Sequence, residues 1–149
     1  MAPPPVPGFN HRVLSTVEKV LFLKSIDLFS LIPGADLAQV AAIATEEARE
    51  SGEEIFADGE FGDALYLVLE GKVRVHREGR TVAELVEREC FGEMALLDAE
   101  PRSATVTTID RTQLLRIGRE EFQELLVEKP EIATGIIKVL TRRLRSAIR

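Results

Sequence analysis

The sequence predicts a mainly β domain with flanking α-helices: an antiparallel, jelly-roll-like β-roll of about eight strands, with helices before and after it. Apolar residues recur three and four apart near both ends of the chain, as on helices. After Gly52 the texture changes to short β-rich runs. Gly59, Gly62, Gly71 and Gly79 punctuate those runs as turns.

In chain order, Met-Ala-Pro-Pro-Pro-Val-Pro-Gly is too rich in proline for a helix or a central strand. Residues 1–12 are therefore expected to form an arm or linker, and 13–149 the domain. Leu14, Val17 and Leu21 place a helix over 13–24; Leu37, Val40, Ala41 and Ala44 place a second over 35–48. Strands follow at 54–57, 64–70, 72–77 and 80–85. Val73 and Val75 alternate there with Lys72, Arg74 and His76, the period of a half-buried strand. Two further strands are expected at 103–108 and 112–117. A helix over 119–127 precedes a last one that starts at Pro130, where proline suits the first turn. On that last helix Ile132, Ile136, Val139, Leu140, Leu144 and Ile148 form a broad apolar face, and Lys138, Arg142, Arg145 and Arg149 a separate basic stripe.

The 149 residues, 45% of them hydrophobic, suffice for one domain with its own core. Nineteen basic against 25 acidic side chains give a net charge of -6, which excludes a surface built throughout for nucleic acid. Cys90 is the only cysteine, so no internal disulfide forms, which suits a reducing cytoplasm. No apolar run approaches the ~20 residues of a membrane-spanning helix, and no membrane insertion is expected of this chain. His11 lies outside the roll and His76 is solitary, so no metal site of the β-roll metalloenzyme kind is expected. Cys90 lacks a neighbouring base and Ser103 a catalytic partner, so the chain reads as no enzyme.

One segment interrupts the β-region: Phe91-Gly92-Glu93-Met94-Ala95-Leu96-Leu97-Asp98-Ala99-Glu100-Pro101-Arg102-Ser103-Ala104-Thr105-Val106. Gly92 lets the backbone approach a ligand, and the helix formers after it make a short turn with N–H groups free for an anion. Arg102, in a loop stiffened by Pro101, supplies a planar fork for a phosphate. Glu93 can accept hydrogen bonds from a sugar hydroxyl. Phosphate plus ribose is the combination implied.

The segment resembles the phosphate-binding cassette of the cyclic-nucleotide-binding domain family, of the catabolite activator protein and protein kinase A regulatory subunit type. Gly59 to Gly71, Gly-Glu-Phe-Gly-Asp-Ala-Leu-Tyr-Leu-Val-Leu-Glu-Gly, is similar to the turn and strand that precede the family's cassette. The resemblance implies that Glu93 binds the ribose 2′-hydroxyl, that Arg102 binds the cyclic phosphate, and that the backbone of Gly92, Met94, Ala95 and Ser103 cradles both. It implies further that Val75 and Ala83 line the base and sugar side, and that the last helix closes over the base as a lid through Ile136, Leu140 and Leu144. Where many relatives carry glycine this chain has Arg88, which is strained if the turn needs a positive φ.

The resemblance makes the chain a regulatory module without cofactor, whose ligand is cAMP, with cGMP left open by Ser103. Occupancy would be signalled through the C-terminal helices to an unidentified effector domain or protein. The alternative is a degenerate domain that keeps the fold, binds nothing and serves as an interaction module. The apolar face of the last helix either covers its own pocket or meets a second copy in a homodimer. The basic stripe reads first as a solvated face, then as a dock for an acidic partner; direct DNA binding is not expected.

Overall fold

The computed structural model describes residues 14–98 and 100–148, apart from the side chain of Met94. The arm at 1–12 and Arg149 of the basic stripe lie outside the described residues. Helix α1 (Thr16–Lys24) opens on a reciprocal cap, in which Ser15 Oγ accepts from the Glu18 N–H and Glu18 Oε1 from the Ser15 N–H. A 3-10 turn (Asp27–Phe29) leads to α2 (Gly34–Ile43). The expected second helix stops there. Residues 44–48, read as its last turn, belong instead to strand β1 (Ala44–Arg49), which α2 enters with no intervening residue. Ala44, Glu46, Glu47 and Ala48 are helix formers by propensity. Pairing with β8 (Thr112–Gly118), from Ala44↔Ile117 to Arg49↔Thr112, overrides it.

The other strands are β2 (Glu54–Phe56), β3 (Ala64–Glu70), β4 (Val73–Arg77), β5 (Arg80–Leu85), β6 (Cys90–Phe91) and β7 (Thr105–Thr108). They form two antiparallel four-stranded sheets, ordered β1-β8-β3-β6 and β2-β7-β4-β5. The two-residue strand β6 is too short for any periodicity to reveal, and it pairs with β3 through Tyr66↔Phe91 and Leu67↔Cys90. Strand β7 starts two residues later than expected, because Ser103 and Ala104 still belong to the loop ahead of it.

Strand β3 explains its own sequence. Six of its seven residues are buried. Ala64, Tyr66 and Val68 face the interior of the roll with Phe56, Phe91, Val106 and Leu114. Leu65, Leu67 and Leu69 face the helices, packing with Leu115, Ile117, Phe29 and Phe122. A strand covered on both faces needs apolar residues at every position. Helices α3 (Arg119–Glu128) and α4 (Pro130–Ile148) complete the helical side. There Phe29 and Phe122 stack with ring centroids 5.9 Å apart. At Gly135 α4 passes so close to the segment after the 3-10 turn that an added Cβ would stand 3.0 Å from both the Ile32 side chain and the Leu31 carbonyl oxygen.

Candidate functional site

The segment between β6 and β7 folds over the open end of the roll. Gly92 takes φ +78, and residues Glu93–Leu96 form a 3-10 turn closed by the Ala95 N–H on the Gly92 carbonyl at 3.0 Å. The rest of the segment is held by main-chain bonds to the β2–β3 loop. Arg102 N–H donates to Glu60 O at 2.6 Å, Gly59 N–H to Arg102 O at 2.8 Å and Gly62 N–H to Glu100 O at 3.1 Å. Phe61 and Pro101 form an isolated antiparallel bridge between the two loops. The two stretches singled out in the sequence thus meet.

The segment 91–106 encloses, with Phe56 of β2 and Val75 of β4, a cavity of about 290 Å³. That is the small-ligand end of pocket sizes, roughly 300–1,000 Å³. Arg102 is 9% exposed, and its guanidinium carbon stands 4.0 Å from the centre of the Phe56 ring. Its Nη2 donates to Ala64 O at 2.8 Å. Its Nε is one of two buried polar side-chain atoms without a partner among the described residues. Among those residues no carboxylate pairs with it, and burial lowers its pKa. Two glycines make room for the group: a Cβ on Gly92 would collide with Arg102 Nη1, and one on Gly62 would stand 3.0 Å from Cζ. The fold holds a desolvated cation here with no carboxylate in contact, only the more distant pull of Asp63 and Glu60.

Glu93 also lines the cavity, and both its carboxylate oxygens are engaged. Oε1 receives Arg143 Nη1 at 3.1 Å, from α4, and Oε2 receives the Cys90 thiol at 3.8 Å. Arg143 reaches further to the first 3-10 turn, where Nε and Nη2 donate to Asp27 Oδ2 at 2.9 and 2.8 Å. The cassette, the 3-10 turn and α4 are therefore joined by one guanidinium. Sequence reasoning missed this residue. Its only signal was to be the one arginine of the last helix off the basic stripe. Burial and the adjacent Glu93 push the Cys90 thiol up to about 12, so it stands protonated as a donor.

Of the other expected residues, Ala95, Ser103 and Val75 line the cavity, and the Ser103 carbonyl is held by Arg77 Nε at 2.6 Å. Ala83 faces Val75 in register across β4 and β5 but is not part of the wall. None of the three lid residues lines the cavity. Ile136, 3% exposed, sits in the helical core; Leu140 packs at the edge of that core; Leu144 is exposed. Lys138, Arg142 and Arg145 are exposed, as a solvated stripe requires. Arg88 does take φ +74, with its guanidinium 5.4 Å from the centre of the Phe22 ring on α1.

The cyclic nucleotide-binding domain family model matches residues 46–129, more than half of the chain and every residue that lines the cavity. The chain belongs to the cyclic nucleotide-binding domain family. It is 44% identical over 101 residues to the cyclic AMP receptor protein of Thermus thermophilus, covering 64% of this chain and 47% of the relative. Against a cGMP-dependent protein kinase of Toxoplasma gondii it is 36% identical over 109 residues, which cover 73% of this chain and 11% of the relative. The chain thus spans less than half the length of these curated relatives. The crystal structure of the N-terminal domain of a transcriptional regulator from Streptomyces coelicolor superposes with a TM-score of 0.80 at 34% identity, covering 85% of this chain and 92% of that one. As in this family, the module is a regulatory β-roll, and none of the described helices is long and apolar enough to cross a membrane.

Proposed function

We propose that the domain binds a cyclic nucleotide, cAMP in the first place, and signals its occupancy through α3 and α4. The observation that carries the reading is Arg102: a buried guanidinium, flanked by two glycines and left without an anion, is a site waiting for a phosphate. The cyclic phosphate replaces the missing counter-charge, and the ribose 2′-hydroxyl donates to Glu93. The base then lies towards Val75 and the apolar wall. Ser103 is compatible with either purine, so the base is decided by titration. Isothermal calorimetry with cAMP and cGMP on the wild-type domain and on Arg102→Ala tests all of this. The variant is expected to bind at least tens-fold more weakly, the equivalent of about 2–5 kcal/mol for a charge left unpaired. Equal affinity in both proteins refutes the assignment.

Signalling follows from Arg143. Because it touches both Glu93 and Asp27, a ligand that draws on Glu93 changes the hold on α4, and a partner domain or protein that reads the position of α4 is switched. Leu140 and Leu144 close over the base once the helix moves, while Ile136 stays in the core. Helix α4 also exposes Ile137, Leu144 and Ile148, an apolar edge on which a second copy docks as a homodimer. Chemistry belongs to the partner, and we assign no catalysis, cofactor or DNA contact to these residues. The free, half-buried Cys90 suits the cytoplasm, where we place the domain.

A further inference from the structure

The sequence leaves Cys90 without a disulfide partner or a catalytic base, and its surroundings assign it another role. It sits in β6 directly ahead of Phe91 and Gly92, pairs with Leu67 in register, and packs its side chain on the helical core. From there its Sγ lies 3.8 Å from Glu93 Oε2, while Arg143 takes Oε1. The Glu93 carboxylate is therefore gripped on both oxygens, from the core side by a thiol and from α4 by a guanidinium. The two grips differ. That of Arg143 depends on the position of α4, a separate element; that of Cys90 comes from strand β6, three residues back along the same chain segment.

Resting on the reading that Glu93 receives the ribose hydroxyl, we infer that Cys90 is a positioning residue that pre-orients Glu93 and thereby sets how strongly the domain selects ligands carrying a 2′-hydroxyl. A carboxylate on a side chain with three rotatable bonds loses rotamer freedom when it accepts a hydrogen bond from ligand. One donor already in place on Oε2 takes up part of that loss before the ligand arrives, and it leaves lone pairs on both oxygens free to accept. The protonated state of the thiol keeps that donor present at neutral pH.

The test measures the affinities of cAMP and 2′-deoxy-cAMP for the wild-type domain, Cys90→Ala and Cys90→Ser, with circular dichroism and melting temperature as checks of folding. Cys90→Ala removes the donor and is expected to weaken cAMP by about two- to tenfold, the range of one ordinary hydrogen bond, while 2′-deoxy-cAMP is unchanged. Cys90→Ser restores a donor and is expected to keep the wild-type ratio between the two ligands. An equal loss on both ligands, no loss on either, or a well-folded serine variant that no longer discriminates overturns the role of Cys90. If Cys90→Ala does not fold, the serine variant alone decides. Failure of the wild-type domain to bind any cyclic nucleotide overturns the functional reading beneath it as well, which separates the two failures.

Discussion

At the scale of single residues, the proposed ligand role of Arg102 implies a cost to the empty protein. A guanidinium held at 9% exposure with an unpartnered Nε is desolvated with only the distant pull of Asp63 and Glu60 to offset it, and such a group weakens the fold that contains it. Arg102→Ala is expected to melt no lower than the wild-type domain when both are empty, and to lose the rise in melting temperature that cAMP gives the wild type; differential scanning fluorimetry reads both. Cys90 makes the complementary case. Its pKa rises from 9.0 to about 12, so between those values the unfolded chain releases the proton while the folded one keeps it. Its contribution to stability is whole below pH 9.0 and is lost as pH rises towards 12. In urea titrations from pH 8 to pH 11 Cys90→Ala is expected to lose less stability than the wild type, and parallel losses would contradict this. Both residues were visible in the sequence, Arg102 through the glycine, short helix and proline around it. Its loneliness was not, since the carboxylates that might have paired with it are a matter of three dimensions.

At the scale of elements, what the sequence made legible was local. The glycine-bounded strands β3, β4 and β5 lie where alternation and turn residues put them, and the cassette is contiguous, so one stretch of chain held most of its chemistry. Partners contributed from a distance stayed hidden: Phe56 comes from β2, and Arg143 lies 50 residues beyond Glu93. The reading of 44–48 as helix failed for the same reason, since the six pairs with β8 leave no trace in the composition of β1. Helix α4 is the element whose hold is most conditional. Its ion pairs use side chains 38% exposed on Arg143 and 70% on Asp27, so each is worth about 0–1 kcal/mol. Arg143→Ala is expected to shift the melting temperature by only a few degrees or less while raising amide exchange over 140–148. Asp27→Ala added to it should have little further effect, because the two share one contact.

In the molecule as a whole the sheet β1-β8-β3-β6 stands between two cores: aromatic and aliphatic side chains of the roll on one face, helices on the other. The proposed signalling helix thereby lies on the opposite face of that sheet from the interior of the roll. Gly135, Ile132 and Ile136 bind the first turns of α4 into the helical core, whereas Leu144 and Ile148, 62% and 76% exposed, leave its end without burial. Hydrogen exchange with and without cAMP is expected to show protection gained over 137–148 and in the cassette, with β3 and β8 unchanged. A domain whose α4 amides do not respond to ligand would signal by another route. Charge is divided in the same way. The chain carries a net -6, yet α4 places Lys138, Arg142, Arg143 and Arg145 against the single acid Glu131, so the least buried end of the helical side is also the basic end.

The order β1-β8-β3-β6 also bears on how the chain is made. Strand β8 lies between β1 and β3, and the hydrogen bond from Gln113 to Glu46 joins residues 67 apart. As the polypeptide leaves the ribosome at roughly 5–20 residues per second, β1 and β3 emerge first and wait seconds for the neighbour they share. During that interval the apolar run of β3 has no covered face, and a product that stops short of Thr112 never acquires this sheet at all. Completion of this sheet thus requires translation past β8, with Ala64–Glu70 the stretch most in need of protection until β8 arrives.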